Sequence, residues 1–260
     1  HWDEKRKAYQ NQTGDIRRGV GMALFSYKTG VWPISLEIAG ARLSLNQDGS
    51  VQLQVGATEI GQGADTVFSQ MAAETLHMDI SRVHIVTQQD TDVTPFDTGA
   101  YASRQSFVTG TAVKECAQQL KQKILEYART LVPGNVDRLE LEDGYILADG
   151  KPAISLEDLA MESYYSLSNS SVLTAEVSRQ VKKNTVASGC CFAEVEVDMK
   201  LGKIKVLDIV NVHDSGTLLN PQLAAMQVHG GMFMGIGYGV SEQLLIDEKT
   251  GRPLNGTLLD

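Results

Sequence analysis

The sequence predicts an α+β fold made of two related lobes, each a β-hairpin, a special loop and a helix in that order. Three observations carry the prediction. Apolar residues alternate with polar ones along 41–55 and again along 193–212, the period of half-buried strands. A junction rich in Gly or Asn follows each strand pair. A helical period then takes over, first through Phe68, Ala72 and Leu76 and later behind Asn220-Pro221. The approximate lobes are 20–160 and 187–260, joined by an irregular stretch, 161–186, and together they make part of one domain.

In the first lobe Val51, Leu53 and Val55 share one strand face and Gln52 and Gln54 the other, with the hairpin turn at Asp48-Gly49. The helix after Gly63 sets Val67 and Met71 beside its main apolar stripe. Residues 82–87 read as a strand, and Gln88 to Gly99 as a polar loop. A long helix is expected from Ser103 to about Leu131, stopped by Pro133-Gly134. A short hairpin around Asp143-Gly144 and a brief helix over 155–160, capped by Ser155, follow; 164–186 is Ser- and Asn-rich and expected to be exposed. In the second lobe Ala193, Val195 and Val197 alternate with Glu194, Glu196 and Asp198, and a turn at Leu201-Gly202-Lys203 leads to a strand from Ile204 to Val212. Asn220 is the N-cap and Pro221 the first residue of a helix over 221–239.

Composition narrows the function classes. With 42% hydrophobic and 21% charged residues, the 260-residue chain can bury an ordinary core. A formal net charge of -9 argues against a nucleic-acid partner. No run of eighteen apolar residues predicts a membrane span. Three cysteines, Cys116, Cys190 and Cys191, make no disulfide framework and point to a cytoplasmic setting. The charged start, His1 to Arg6, has no signal-peptide core and no initiator Met, and both ends read as those of a fragment.

Three segments could carry chemistry. The loop Gly56 to Gly63 places glycines on both sides of Gln62, so backbone can approach a ligand closely, and it abuts a helix start whose free N–H groups attract anions such as phosphate. Its plainer reading is a tight strand-to-helix turn. The segment Gly99 to Ser106 puts small residues before a helix beginning with Ser103, Arg104 and Gln105, suited to a phosphate or oxo group, or else an ordinary capped helix. Gln227 lies on a helix whose Gly230, Gly231, Gly235, Gly237 and Gly239 lower helix stability; they make sense where a backbone or a flat ligand packs closely. Weaker candidates are set aside. His213-Asp214-Ser215 has triad residue types, but adjacent residues rarely supply triad geometry. The five histidines show no metal-ligand spacing, and Asp90, Asp92 and Asp97 read better as a solvated acidic loop than as a cation site.

Taken in order, these segments resemble a known family. Gly56-Ala57-Thr58-Glu59-Ile60-Gly61-Gln62-Gly63 resembles the Gly-Gln-Gly loop of the xanthine dehydrogenase and aldehyde oxidase molybdenum hydroxylases. Asp90 to Phe96 with Ala102-Ser103-Arg104-Gln105 resembles that family's second cofactor loop, and Leu219-Asn220-Pro221 with Gln227 to Gly231 its third. The likeness runs over nearly the whole chain and is nearest to bacterial molybdenum-binding subunits of the purine-hydroxylating type. It implies the two lobes of a molybdopterin-binding domain, with molybdenum held by a pterin, in mononucleotide or cytosine dinucleotide form, and by no side chain. By position, Ile60, Gly61, Gln62 and Gly63 would line the pterin and its phosphate. Ala102 would lie beside the metal through its backbone. Ser103, Arg104 and Gln105 would hold the cofactor through backbone or side chain, and Gln227 would contact the pterin or an oxygen on the metal.

The resemblance further implies oxidative hydroxylation of a small heteroaromatic substrate such as hypoxanthine or xanthine, with water as the oxygen source. Electrons would leave through iron–sulfur clusters and FAD on other domains or subunits. An N-terminal molybdenum-binding portion is expected before residue 1. The general-base glutamate, in a Gly-Glu-Pro-Pro-like motif, is expected beyond Asp260, so no catalytic residue is assigned within this segment and the segment alone should be inactive. Val31 and Trp32 stand near the family's substrate-facing aromatic and Thr, with a one-residue offset, and are the substrate candidates. A hydroxylase for aldehydes or other N-heteroaromatics, or a non-catalytic cofactor-binding or assembly fragment, are the alternatives.

Overall fold

A computed structural model of the chain describes residues 1–134 and 136–257. In chain order its elements are α1 (Trp2–Ala8), β1 (Ile16–Thr29), β2 (Ile38–Leu45), β3 (Val51–Val55), α2 (Ala64–Leu76), β4 (Val83–Ile85), α3 (Gln105–Leu131), β5 (Leu139–Glu142), β6 (Tyr145–Ala148), β7 (Lys151–Ser155), α4 (Leu156–Tyr165), β8 (Thr174–Gln180), β9 (Thr185–Asp198), β10 (Lys203–Asp214) and α5 (Pro221–Val240). The α+β prediction holds. The elements fall into two compact units: Lys28–Thr185, and His1–Tyr27 together with Val186–Asp260.

The unit of residues 28–185 is built on a four-stranded sheet ordered β4-β3-β2-β8. The predicted hairpin pairs Ala41 with Val55, Leu43 with Leu53 and Leu45 with Val51, and Gly49 takes the positive φ its turn requires. Because strand side chains alternate, Val51, Leu53 and Val55 all turn inward. They meet Phe68 and Leu76 of α2 and Leu120 and Ile124 of α3, all fully buried in one hydrophobic cluster. Each such side chain contributes roughly 1.5–3 kcal/mol by leaving water. A second, three-stranded sheet, β5-β6-β7, follows α3. Its first turn is the expected Asp143-Gly144, both residues at positive φ. Ser155 Oγ accepts from the Asp158 N–H at 3.0 Å and so caps α4 as predicted.

The stretch 161–186 is irregular only at 166–173 and 181–184. α4 continues to Tyr165, and β8 pairs antiparallel with β2 from Ile38–Gln180 to Ser44–Thr174. Ala175 and Val177 are buried while Glu176 and Ser178 face out, a strand pattern hidden beside the Ser/Asn-rich run at 166–171. The division of the chain also differs from the expected lobes, since residues 161–185 belong with the first unit and residues 1–27 with the second.

In the unit of residues 1–27 and 186–260, β1, β9 and β10 form one sheet in that order. β9 and β10 pair antiparallel from Asp198–Lys203 to Ser188–Asp214, with an irregularity between Val206 and Asp208. Asn220 Oδ1 accepts from the Leu223 N–H at 3.0 Å, the predicted N-cap of α5. Strand pair followed by helix therefore occurs in both units. Neither α1 nor β1 was predicted. α1 is anchored by Lys5 and Tyr9, both bonded to the buried Glu194, and by the Trp2 ring packed edge-on to Phe192 at 5.2 Å. α5 has no buried residue.

Candidate functional site

The loop after β3 is held by its own acid. Gly61 and Gly63 sit at φ 95° and 88°, conformations that glycine adopts without strain. Glu59 folds back over them: its Oε1 accepts from the N–H groups of Gly61 (2.7 Å) and Gly63 (3.0 Å), and its Oε2 from that of Asp65 (3.0 Å). Desolvation pushes the Glu59 carboxyl up, but the backbone donors together outweigh it and hold it below the ordinary glutamate value. The helix start predicted to attract a phosphate is thus already occupied by an internal carboxylate. Gln62 is turned inward across the same loop. Its Oε1 accepts from the Ile60 N–H at 2.7 Å, and its Nε2 donates to Thr58 O at 3.0 Å and to Gln105 Oε1 at 2.6 Å. Outward of Gly61 the space is open, with nothing within 4 Å of where a Cβ would stand, and Ile60 is exposed beside it.

The segment before α3 is held differently. Ala102 and Ser103 lie at φ 49° and 54°, left-handed positions that cost an L-residue about 1 kcal/mol, and α3 starts at Gln105, two residues later than predicted. Ser103 therefore does not cap the helix. The N–H groups of Ala102, Ser103, Gln105 and Ser106 have no partner among the described residues. Gln105, nearly buried, donates from Nε2 to Thr58 O at 3.2 Å as well as accepting from Gln62, so the two loops are tied side chain to side chain.

Arg104 is one of the residues expected to hold the cofactor through backbone or side chain, and its side chain is spent on partners inside the protein. It is fully buried and its donors are taken within the protein. Nε donates to Glu37 Oε2 (2.5 Å), Nη1 to Asp97 Oδ1 (2.5 Å) and to Gly99 O (2.9 Å), and Nη2 to Ile38 O (2.8 Å). Burial lowers its pKa, but the hydrogen bond to Glu37 and the charge and bond of Asp97 outweigh that and keep it above the usual arginine value. Asp97 also accepts from Thr109 Oγ1 at 2.7 Å, which removes it from the acidic loop it was grouped with. Asp90 instead bonds the Asp92 N–H at 2.9 Å.

Val31 and Trp32 are half-buried in the same unit. The Val31 N–H donates to Glu37 Oε1 at 2.5 Å, and Trp32 O accepts from Asn184 Nδ2 at 2.6 Å. Gln227 lies on α5 in the other unit, exposed. It lines a mostly apolar cavity of about 800 Å³ with Cys191, Val206, Ile209, Asn211 and His213. The His213 ring packs on Phe25 at 4.9 Å, at the end of β10 rather than in a triad. Among the described residues no three His, Cys, Asp or Glu side chains gather as metal ligands, and no helix is long and apolar enough to cross a membrane. Of the acids that organise these loops, Asp97 is legible in the sequence only as part of an acidic loop, Glu59 only as part of the glycine-rich motif, and Glu37 not at all. An acid two residues before a Gly-x-Gly helix start was a signal for Glu59; nothing local marked Glu37.

Compared with known proteins, residues 1–260 match the model of a family described as a molybdopterin cofactor-binding domain. The chain is 50% identical over 262 residues to the putative xanthine dehydrogenase molybdenum-binding subunit XdhA of Escherichia coli strain K12, over 100% of this chain and 35% of that protein. It is 32% identical over 247 residues to the probable hypoxanthine oxidase XdhD of the same organism, over 95% of this chain and 25% of that one. The crystal structure of quinoline 2-oxidoreductase from Pseudomonas putida 86 matches with a TM-score of 0.83 at 24% identity, over 100% of this chain and 34% of that chain, and so shares the fold. The chain spans a quarter to about a third of the length of these relatives.

Proposed function

Because the chain belongs to the molybdopterin cofactor-binding domain family, we propose that it holds the pterin of a molybdenum hydroxylase acting on purines such as hypoxanthine or xanthine. The observation that carries this reading is the row of unpartnered N–H groups at Ala102, Ser103, Gln105 and Ser106. Four donors in a left-handed turn and a helix start suit the phosphate or oxo end of an anionic cofactor. The corresponding donors at α2 are closed by Glu59, which favours α3 for the anionic end. Gln62 and Gln105 stand next to those donors, and beyond the bonds that tie them together each amide oxygen keeps one lone pair and Gln105 Nε2 one N–H for the heteroatom edge of the pterin. The open side of Gly61 leaves room for a flat ring, with exposed Ile60 against it. Ala102 presents only backbone to the metal, and Gln227 of α5 remains a further candidate contact to the pterin or an oxygen on the metal.

When bound, molybdenum on its pterin supplies a two-electron oxidation in which water provides the oxygen. This chain's residues orient the cofactor and, at Val31 and Trp32, the substrate. Iron–sulfur and FAD partners take the electrons. No general base is assigned within residues 1–260 in this reading, and the segment alone is expected to turn over no hypoxanthine with an artificial acceptor; turnover above background overturns that assignment. The purine class is supported by the names of the relatives at 50% and 32% identity.

The test uses the complete enzyme with its partners. Gln62→Ala removes a directed hydrogen bond and weakens cofactor binding by roughly 1–3 kcal/mol. Gln227→Ala lowers turnover more than molybdenum content. Full molybdenum occupancy with unchanged hypoxanthine turnover in both variants overturns the reading.

A further inference from the structure

The Arg104 cluster joins two segments with different expected tasks. Glu37 uses both carboxylate oxygens, Oε2 for Arg104 Nε and Oε1 for the Val31 N–H, each at 2.5 Å. The Gly30 N–H donates to Ala102 O at 2.8 Å. Asp97 closes the other side, taking Arg104 on Oδ1 together with the Gly99 N–H at 2.9 Å, and Thr109 of α3 on Oδ2. One buried guanidinium therefore braces the backbone at 30–31 on one side and the turn 97–103 on the other. We propose that Arg104 and Glu37 are positioning residues that set the spacing between the substrate-facing segment Val31-Trp32 and Ala102 beside the metal. The inference rests on the cofactor-binding reading given above.

Three features make the brace more than general packing. The planar fork of Arg104 reaches two carboxylates and two carbonyls at once, a geometry lysine cannot reproduce. Its anchors differ in sequence position, with Glu37 lying 67 residues from Arg104 and Asp97 seven residues from it, so the cluster fixes a tertiary distance rather than a local turn. Gly30 is required where the pieces meet. It sits at φ 80°, and a Cβ there would stand 3.0 Å from Glu37 Oε1 and 3.3 Å from Asn184 Oδ1. Asn184 steadies Trp32 O through its Nδ2, while its Oδ1 is buried with no partner among the described residues. Segment 30–32 is thus held by Glu37, Asn184 and the Ala102 carbonyl, and its ties to the loop carrying Ala102 run through the Gly30–Ala102 hydrogen bond and through Glu37 to Arg104.

A displaced positioning group changes the rate of loaded sites, whereas a merely structural group changes how many sites are loaded. The experiment uses the complete enzyme carrying Arg104→Lys, Glu37→Gln or no substitution. Molybdenum per complex, thermal midpoint, and kcat and KM for hypoxanthine per bound molybdenum are measured. The expected result for Glu37→Gln is a fall of about tenfold or more in kcat/KM per molybdenum, with KM raised and molybdenum content close to wild type, because sub-ångström misplacement is costly in rate. Arg104→Lys falls further. If Arg104→Lys does not accumulate, the milder Glu37→Gln decides. Unchanged kcat and KM per molybdenum in Glu37→Gln, with only a lower thermal midpoint, overturns the inference and leaves the cofactor reading standing. A wild-type complex free of molybdenum overturns the cofactor reading and this inference with it.

Discussion

The two loops that meet at the Gln62–Gln105 hydrogen bond are built on opposite electrostatic plans. Loop 58–65 wraps backbone N–H groups around a half-buried carboxylate, that of Glu59. Loop 97–104 sets the Asp97 carboxylate and the Gly99 carbonyl around a buried guanidinium, that of Arg104, and Glu37 and the Ile38 carbonyl complete its partners from outside the loop. The consequence is visible at the two helix starts. Glu59 consumes the donors of α2, whereas Arg104, a donor-only side chain, leaves those of α3 free. The sign of the organising charge decides which helix start remains open to an anion. It also decides how much each loop depends on its centre, since a buried charge stripped of its partner costs far more than a half-exposed one.

The comparison breaks hardest at Arg104. Arg104→Met leaves Glu37 and Asp97 buried without a counter-charge and destabilises the unit by about 3–5 kcal/mol; urea unfolding of the purified protein measures it. A loss under 1 kcal/mol would show that the two loops are organised alike. Next in size is the tie between them. Gln105→Ala takes one of the two acceptors of half-buried Gln62 Nε2, leaving Thr58 O, and costs about 1–2 kcal/mol by the same measurement.

Glu59→Gln keeps an acceptor but gives up the charge, and costs about 1 kcal/mol at neutral pH. Its sign with pH is fixed. The folded Glu59 carboxyl is depressed, so its stabilisation is fully present above the ordinary glutamate value, near ~4.3. It is lost as pH falls through the lower folded value. The gap in unfolding midpoint between wild type and Glu59→Gln therefore narrows on acidification below that point; a gap that widens would assign the effect elsewhere. The smallest effect is at Ser103. Ser103→Gly relieves a left-handed φ and raises stability by about 0.5 kcal/mol, read as a small upward shift in thermal midpoint.

Much of the frame was legible from residue order. The hairpin at Asp48-Gly49, the stripe Phe68, Ala72 and Leu76, and the caps Ser155 and Asn220 are local signals, and local backbone physics satisfied them. What misled was composition: Ser and Asn at 166–171 concealed the period-two strand Thr174–Gln180 just after them, and Lys5 and Tyr9 gave no local sign that α1 is anchored by Glu194. The loop residues were found as positions, yet their tasks were assigned from the chemistry each side chain carries alone.

By itself the sequence determined the alternating strands, the helix stripes and the glycines at Gly49, Gly61 and Gly63, because these rest on periodicity and on backbone conformations that one residue dictates. Only the tertiary structure decided that Arg104 points inward to Glu37 and Asp97, that Glu59 closes the start of α2, and that the N–H groups of Ala102, Ser103, Gln105 and Ser106 have no partner among the described residues. A charged side chain's task depends on which opposite charges and dipoles burial brings within hydrogen-bond reach, and for Arg104 that partner lies 67 residues away in the chain.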